Sequence, residues 1–64
     1  MAMFEVLDAV KINAGDPDLN GRHGKVLARE IEAGMATKYI VELEQPYEGN
    51  HAVRLVEACL TRLY

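Results

Sequence analysis

Apolar and polar residues alternate with a period of two along three stretches of this chain, which is the pattern of a half-buried β-strand. The clearest stretch is 37–44, where aromatic and aliphatic side chains alternate with lysine and glutamate. Ile40 is the one large apolar residue on the polar side of that stretch. The same alternation predicts strands at 7–13 and 51–56. Most of the chain is therefore predicted to be β-structure.

A glycine-containing corner precedes the second predicted strand. Asn20-Gly21 is a strong turn signal because both residues tolerate positive φ, and it ends a polar loop at 13–21. Leu19 is the one large apolar residue of that loop and is expected to pack back beneath it. Gly24 stands just before Lys25-Val26, where a residue without a Cβ lets the backbone turn into a strand. We expect Gly24 to be at positive φ or pressed against neighbouring backbone.

Two stretches, 25–33 and 52–63, fit a helix as well as a strand. The first contains good helix formers and is followed by Gly34, a suitable C-cap. We prefer a strand there, joined to the next strand by a turn at 33–36, because the corner at Gly24 would make a poor helix N-cap. In the second stretch the apolar residues also fit one helical face, whereas alternation favours a strand.

The predicted order is strand, long loop, glycine corner, hairpin, strand, 3₁₀ turn over Glu57-Ala58-Cys59 and short strand over 60–64. This order predicts an all-β fold, a small five-stranded SH3-like barrel with a short 3₁₀ turn before the last strand. Phe4 and Val6 are expected to cover one end of the core. The alternative is an α+β fold with helices near 25–33 and 52–63. At 64 residues, 1–64 forms a single domain.

Four segments together resemble the SH3-like superfamily across most of the chain. They are Val10-Lys11-Ile12, Gly21-Arg22-His23-Gly24-Lys25-Val26, Tyr39-Ile40-Val41-Glu42-Leu43 and Glu57-Ala58-Cys59-Leu60. The pattern Val-x-Ile followed by Gly-x-x-Gly-x-Val is similar to a KOW motif, with two extra residues in the loop before Gly21. A KOW-like loop implies contact with RNA or with a ribosomal or transcription partner.

The acidic net charge of the chain argues against binding to RNA. Arg22, His23, Lys25 and Arg29 form a basic cluster in the sequence near the glycine corner. The chain as a whole carries a net charge of −3, with ten acidic and seven basic residues. Nucleic-acid affinity depends on neutralising phosphates, and no aromatic residues interleave the basic ones to stack on bases. Nucleic-acid binding is therefore the alternative expectation, and a solvated basic loop is preferred.

Composition bears on location and cross-linking. Cys59 is the only cysteine, so no disulfide forms within the chain, and a single free thiol without an export signal favours the cytoplasm. No apolar run is long enough to span a membrane. Cys59 lies among apolar residues, and we interpret it as a small buried hydrophobe.

The remaining candidates for chemistry have simpler explanations. His23 and His51 could in principle share a metal ion, but they lack ligand spacing and a cysteine partner. Asp16 and Asp18 flank a proline, and turn formation explains them better than calcium binding. We find no catalytic residue pattern and expect no metal and no cofactor.

One enzyme family shares this size and architecture. The segment Val53 to Leu63 is similar in rhythm to the type II dihydrofolate reductases, SH3-like barrels that form a tetramer around a central pore. That family has Val-Gln-Ile-Tyr in the pore, where this chain has Val53-Arg54-Leu55-Val56. The glutamine and tyrosine that hold cofactor and folate are absent, so the resemblance implies the fold more than the activity.

Self-association is the last expectation. A chain this short, without a disulfide, is marginally stable, and it has more large apolar residues than a small barrel encloses. A second copy could cover the surplus, with Ile40 at the surface involved. The surplus residues, several of which a monomer would leave exposed, are Phe4, Leu7, Leu19, Ile40, Tyr47, Leu60 and Tyr64. The predicted function is a non-enzymatic interaction or assembly module that binds a protein partner, with a second copy of the chain as one candidate.

Overall fold

The computed structural model describes residues 4–31 and 33–63 and contains one antiparallel sheet of five strands. The strands are β1 (Ala9–Ile12), β2 (His23–Glu30), β3 (Lys38–Tyr47), β4 (Asn50–Val56) and β5 (Leu60–Arg62). Their order across the sheet is β4-β3-β2-β1-β5, and a 3₁₀ turn over Glu57–Cys59 leads into β5. The predicted all-β fold, with five strands and a 3₁₀ turn before the last, is confirmed.

The first stretch that also fitted a helix is β-structure through Glu30, and the second contains β4, the 3₁₀ turn and β5, so the α+β alternative is wrong. β2 pairs with β1 on one side and with β3 on the other, and β4 pairs with β3. The part of the chain described here contains no α-helix. Helix propensity is a weak preference, and pairing with neighbouring strands overrides it here.

The first strand is shorter than the predicted 7–13 because a tight turn replaces its beginning. The amide of Asp8 donates a hydrogen bond to the carbonyl of Glu5 at 3.1 Å, and Leu7 between them has a φ of 78°. This is the geometry of a type II turn, in which the third residue is normally glycine. Val6 is at the exposed tip of the turn and does not cover the core as expected.

The third strand is longer than predicted. The alternation predicted a strand only as far as residue 44, but β3 continues through Pro46 to Tyr47, which lies opposite Asn50 on β4. Glu48 and Gly49 form the connection, with φ values of 48° and 80°. Two consecutive residues at positive φ suit a two-residue type I′ hairpin turn, which matches the twist of the strands. The register is irregular around Pro46, where a ladder hydrogen bond cannot form.

The core lies on one face of the sheet. Its buried members are Phe4, Val10, Ile12, Val26, Tyr39, Val41, Leu43 and Leu60. The rings of Phe4 and Tyr39 meet edge to face, with centroids 5.4 Å apart, and the Tyr39 hydroxyl accepts a hydrogen bond from the Phe4 amide. Phe4 covers one end of the core, as expected, so neither Phe4 nor Leu60 is available to the exposed surface predicted from the surplus apolar residues. Tyr64, also in that set, lies outside the described residues. Leu19 packs partly buried against the core, as predicted for the loop.

Gly24 is pressed against β3. A Cβ added there would lie 2.5 Å from the Glu42 carbonyl oxygen and 2.6 Å from Val41 Cγ1, closer than real contacts allow. Of the two conformations expected for Gly24, close backbone approach is the one observed. Gly21 has a φ of 89°, as the Asn-Gly turn signal predicted.

The long loop is attached to the β3–β4 hairpin through polar contacts. The Tyr47 hydroxyl donates to Asp16 Oδ2 at 2.9 Å, and the guanidinium of Arg22 lies 5.3 Å from the Tyr47 ring centroid. Asp16 also accepts a hydrogen bond from the Asp18 amide at its Oδ1, which is the turn role predicted for this pair. The hydrogen bond to Asp16 raises the pKa of Tyr47 to about 12.

We predict that Gly24→Ala destabilises the domain by about 1–3 kcal/mol, because the added methyl group overlaps β3 backbone that cannot move without disturbing the ladder. Chemical denaturation measures the loss. Gly15→Ala is the matched control, since a Cβ at Gly15 meets no atom within 4 Å. Equal stability of the two variants would contradict the close approach at Gly24.

We predict that Asp16→Asn returns the pKa of Tyr47 from about 12 toward the ordinary value of about 10, because the anionic acceptor is lost. The raised pKa contributes stability that is complete below about pH 10 and is lost as the pH rises to about 12. Phenolate absorbance, with Tyr47→Phe to assign the transition, follows the titration. Asp18→Asn is the control and should leave the pKa nearly unchanged, and an equal shift in both variants would refute the Asp16 contact.

Candidate functional site

The predicted binding residue Arg22 is used inside the fold. Its Nε donates to the Asp18 carbonyl at 2.6 Å, and its Nη1 donates to the Gln45 carbonyl at 3.4 Å. With its guanidinium also against Tyr47, Arg22 connects the long loop to the end of β3. These contacts use two of the five N–H donors and hold the guanidinium against the fold, so it is not free to reorient toward a phosphate.

His23 and Lys25 lie on the outward side of β2, and acidic residues of β3 face both. Lys25 stands directly opposite Glu42 in the β2–β3 register, and His23 Nδ1 is 3.8 Å from Glu44 Oε2. The four side chains border a cavity of about 360 Å³. Because two carboxylates balance one lysine and one histidine there, this cavity does not concentrate positive charge.

Arg29, the fourth basic residue, belongs to a different part of the surface. It stands opposite Tyr39 in the register, and its Nη1 lies 3.4 Å from Glu5 Oε2. The structure therefore brings His23 and Lys25 together but directs Arg22 to the loop and Arg29 to the segment before β1. The four basic residues, which are close together in the sequence, therefore lie in three separate environments. Each environment contains carboxylates or backbone carbonyls.

Ile40, the fifth predicted binding residue, is half-buried on the outer face of the sheet. It stands opposite Ala28 on β2 and opposite Arg54 on β4. Arg54 Nε lies 2.7 Å from Glu30 Oε1, so an ion pair between β4 and β2 passes over β3 beside Ile40. This pair and the flanking side chains cover part of the isoleucine.

The most exposed apolar side chains lie elsewhere, near the second half of β2. Leu7 is 66% exposed and Leu27 is 41% exposed, and Val6 is also exposed. The amide of Leu7 donates to the carbonyl of Val26 at 2.7 Å, which places the 5–8 turn against β2 beside Leu27. Ile31 and Met35, in the connection between β2 and β3, are exposed as well. We call Val6, Leu7 and Leu27 the turn surface.

Two backbone irregularities coincide at the turn surface. The register of β2 against β3 shifts between Val26 and Ala28, so Leu27 has no direct partner on β3. Leu7 adopts positive φ, which is unfavourable for a bulky residue. Leu27 follows the buried Val26 and is exposed, as the period of two requires. The bulge then brings Ala28 to the same face, opposite Ile40, while the turn leaves the Leu7 side chain exposed. Leu7 was among the apolar residues from which an exposed surface was predicted. Val6 was expected to cover the core, and Leu27 was not included in that set.

The described residues include no group of three or more histidine, cysteine, aspartate or glutamate side chains placed to hold a metal ion. His23 is the first residue of β2 and His51 is the second residue of β4, and β3 lies between these two strands. Cys59 is half-buried in the 3₁₀ turn. In the same part of the chain no helix has the length and apolar character needed to cross a membrane.

Comparisons with known proteins identify no family for this chain. No protein-family model, no curated protein and no solved structure matches the chain.

Proposed function

We propose that this domain is a non-enzymatic interaction module of the cytoplasm that binds a protein partner. The observation that carries the proposal is the turn surface, where Val6, Leu7 and Leu27 are exposed on two segments joined by a backbone hydrogen bond from Leu7 to Val26. The strand order and the 3₁₀ turn before β5 support relating the module to SH3-like barrels. The free thiol of Cys59 supports the cytoplasmic location.

The turn surface supports a binding role because it costs stability without serving the fold. The backbone amide of Leu7 holds the turn against β2. Its side chain contributes little packing because it is 66% exposed. A non-glycine residue at positive φ costs on the order of 1 kcal/mol, which a glycine or an asparagine would avoid. An exposed apolar side chain that lowers the stability of the domain is typical of a surface that binds another protein.

Contact with nucleic acid, as the KOW-like pattern implies, is the second candidate. One observation favours it: Lys11 stands directly opposite His23 on the neighbouring strand, and His23 is two residues from Lys25. Glu42 and Glu44 lie beside this group on β3 and oppose phosphate binding. The balance of charge therefore supports a protein partner over a nucleic acid.

The reductase resemblance receives no support from β4. Arg54 stands where the pore family has glutamine, and its guanidinium is paired with Glu30. Val56 stands where that family has tyrosine and cannot donate a hydrogen bond. We therefore keep the proposal of a non-enzymatic module without a cofactor.

We predict that Leu7→Asn abolishes partner binding while leaving the domain at least as stable as the wild type. Asparagine tolerates positive φ and removes the exposed apolar side chain, so thermal unfolding should occur at the same or a higher temperature. The measurement uses wild-type and Leu7→Asn chains in parallel as baits in extracts of the source cell. Quantitative mass spectrometry identifies the protein that only the wild type retains.

Three outcomes contradict parts of the proposal. A partner retained equally by both baits would refute the turn surface, and a destabilised variant would refute the claim that Leu7 does not serve the fold. Salt-sensitive binding of single-stranded RNA, lost in Lys25→Gln and kept in Leu7→Asn, would favour the nucleic-acid alternative. Arg29→Gln is the matched control for that assay, since Arg29 lies apart from Lys25.

A further inference from the structure

The two edges of the sheet differ in how open they are to another strand. Within the described residues, β4 and β5 are the outer strands. β5 has three residues, whereas β4 has seven and contains neither proline nor lysine. Very short strands, prolines and lysines are the usual means by which proteins prevent pairing at an edge. β4 lacks all three.

The backbone groups that β4 leaves free follow from the register. The amide of Glu57 donates to the carbonyl of Thr37, which makes 37 and 57 a hydrogen-bonded pair. Bonded and non-bonded pairs alternate along an antiparallel ladder, so Val53 and Leu55 point their backbone groups toward β3. Ala52 and Arg54 then direct their amide and carbonyl groups away from β3, to the open edge.

The one charged side chain of β4 does not guard that edge. Arg54 Nε lies 2.7 Å from Glu30 Oε1 on β2, so the guanidinium is turned back across β3. On the other face, Val53 and Leu55 pack against the core but remain only half-buried. The edge therefore combines free backbone donors and acceptors with a row of incompletely buried apolar side chains.

We propose that the β4 edge pairs antiparallel with β4 of a second copy, with Val53 on the two-fold axis. In this register Ala52 of each copy faces Arg54 of the other, and their outward backbone groups bond. A register with Arg54 facing Arg54 would place like charges opposite each other and is excluded. Val53 meets Val53 on the core side, so the apolar row continues from one copy into the next. In this register, no residue of the 51–55 segment faces a like charge on the other copy.

This inference rests on the proposed function as an interaction module but assigns the second copy to β4, leaving the turn surface for a different protein. Antiparallel pairing of identical edges is self-complementary, as a two-fold interface requires. A continuous ten-stranded sheet would also bury Val53 and Leu55 further, which a domain of this size needs.

The test is sedimentation velocity at tens of micromolar. The wild type is expected to be a dimer and Ala52→Pro a folded monomer, because proline removes an outward amide that the ladder to β3 does not use. Ala52→Lys places a lysine opposite Arg54 in the dimer and beside Glu42 in the monomer. We expect it to fold and to raise the dissociation constant about tenfold.

Leu7→Asn is the control and should dimerise like the wild type. A monomeric wild type overturns the inference, and so does an Ala52→Pro variant that remains a dimer. If Ala52→Pro fails to fold by circular dichroism, an unchanged dissociation constant for Ala52→Lys overturns the inference instead. None of these results removes a partner bound through Leu7, so failure here and failure of the proposed function are distinguishable.

Discussion

The close approach of β2 to β3 at Gly24 is the constraint on which the rest of the structure depends. Because no Cβ separates Gly24 from the Val41 side chain and the Glu42 carbonyl, the two central strands meet tightly at that end. Val26 and Val41, directly opposite each other just beyond, are both fully buried. The core therefore begins at the glycine corner and extends along β2 and β3 to Tyr39.

The same packing determines which chemistry remains available at the surface. Strand pairing places Lys25 opposite Glu42 and brings His23 near Glu44, so each of these two neighbouring basic residues faces a carboxylate. Arg22 is used to hold the long loop. An apolar turn beside β2 and the outer backbone edge of β4 stay available as well. Our proposals assign both of them to contacts with protein.

Much of the fold was predictable because the signals are local. Alternation identified β3 and β4, the Asn-Gly pair identified the positive φ of Gly21, and the corner identified the special position of Gly24. The end of β3 was not predictable from Pro46, since proline is tolerated where the register is irregular. The turn at Leu7 was missed because that position normally requires glycine. The candidate sites depend on which strands are neighbours in the sheet, and a local sequence pattern does not determine strand order.

The central claim is that this chain associates through backbone and apolar groups rather than through its basic side chains. The dissociation constant of the wild-type dimer, measured by sedimentation equilibrium from about 0.01 M to about 1 M salt, tests it most directly, since the screening length falls from about 30 Å to about 3 Å. The account predicts a constant that stays level or decreases, because each copy carries a net charge of −3 and salt screens their repulsion. A dissociation constant that rises about tenfold or more would show that charge pairing holds the copies together and would contradict the claim.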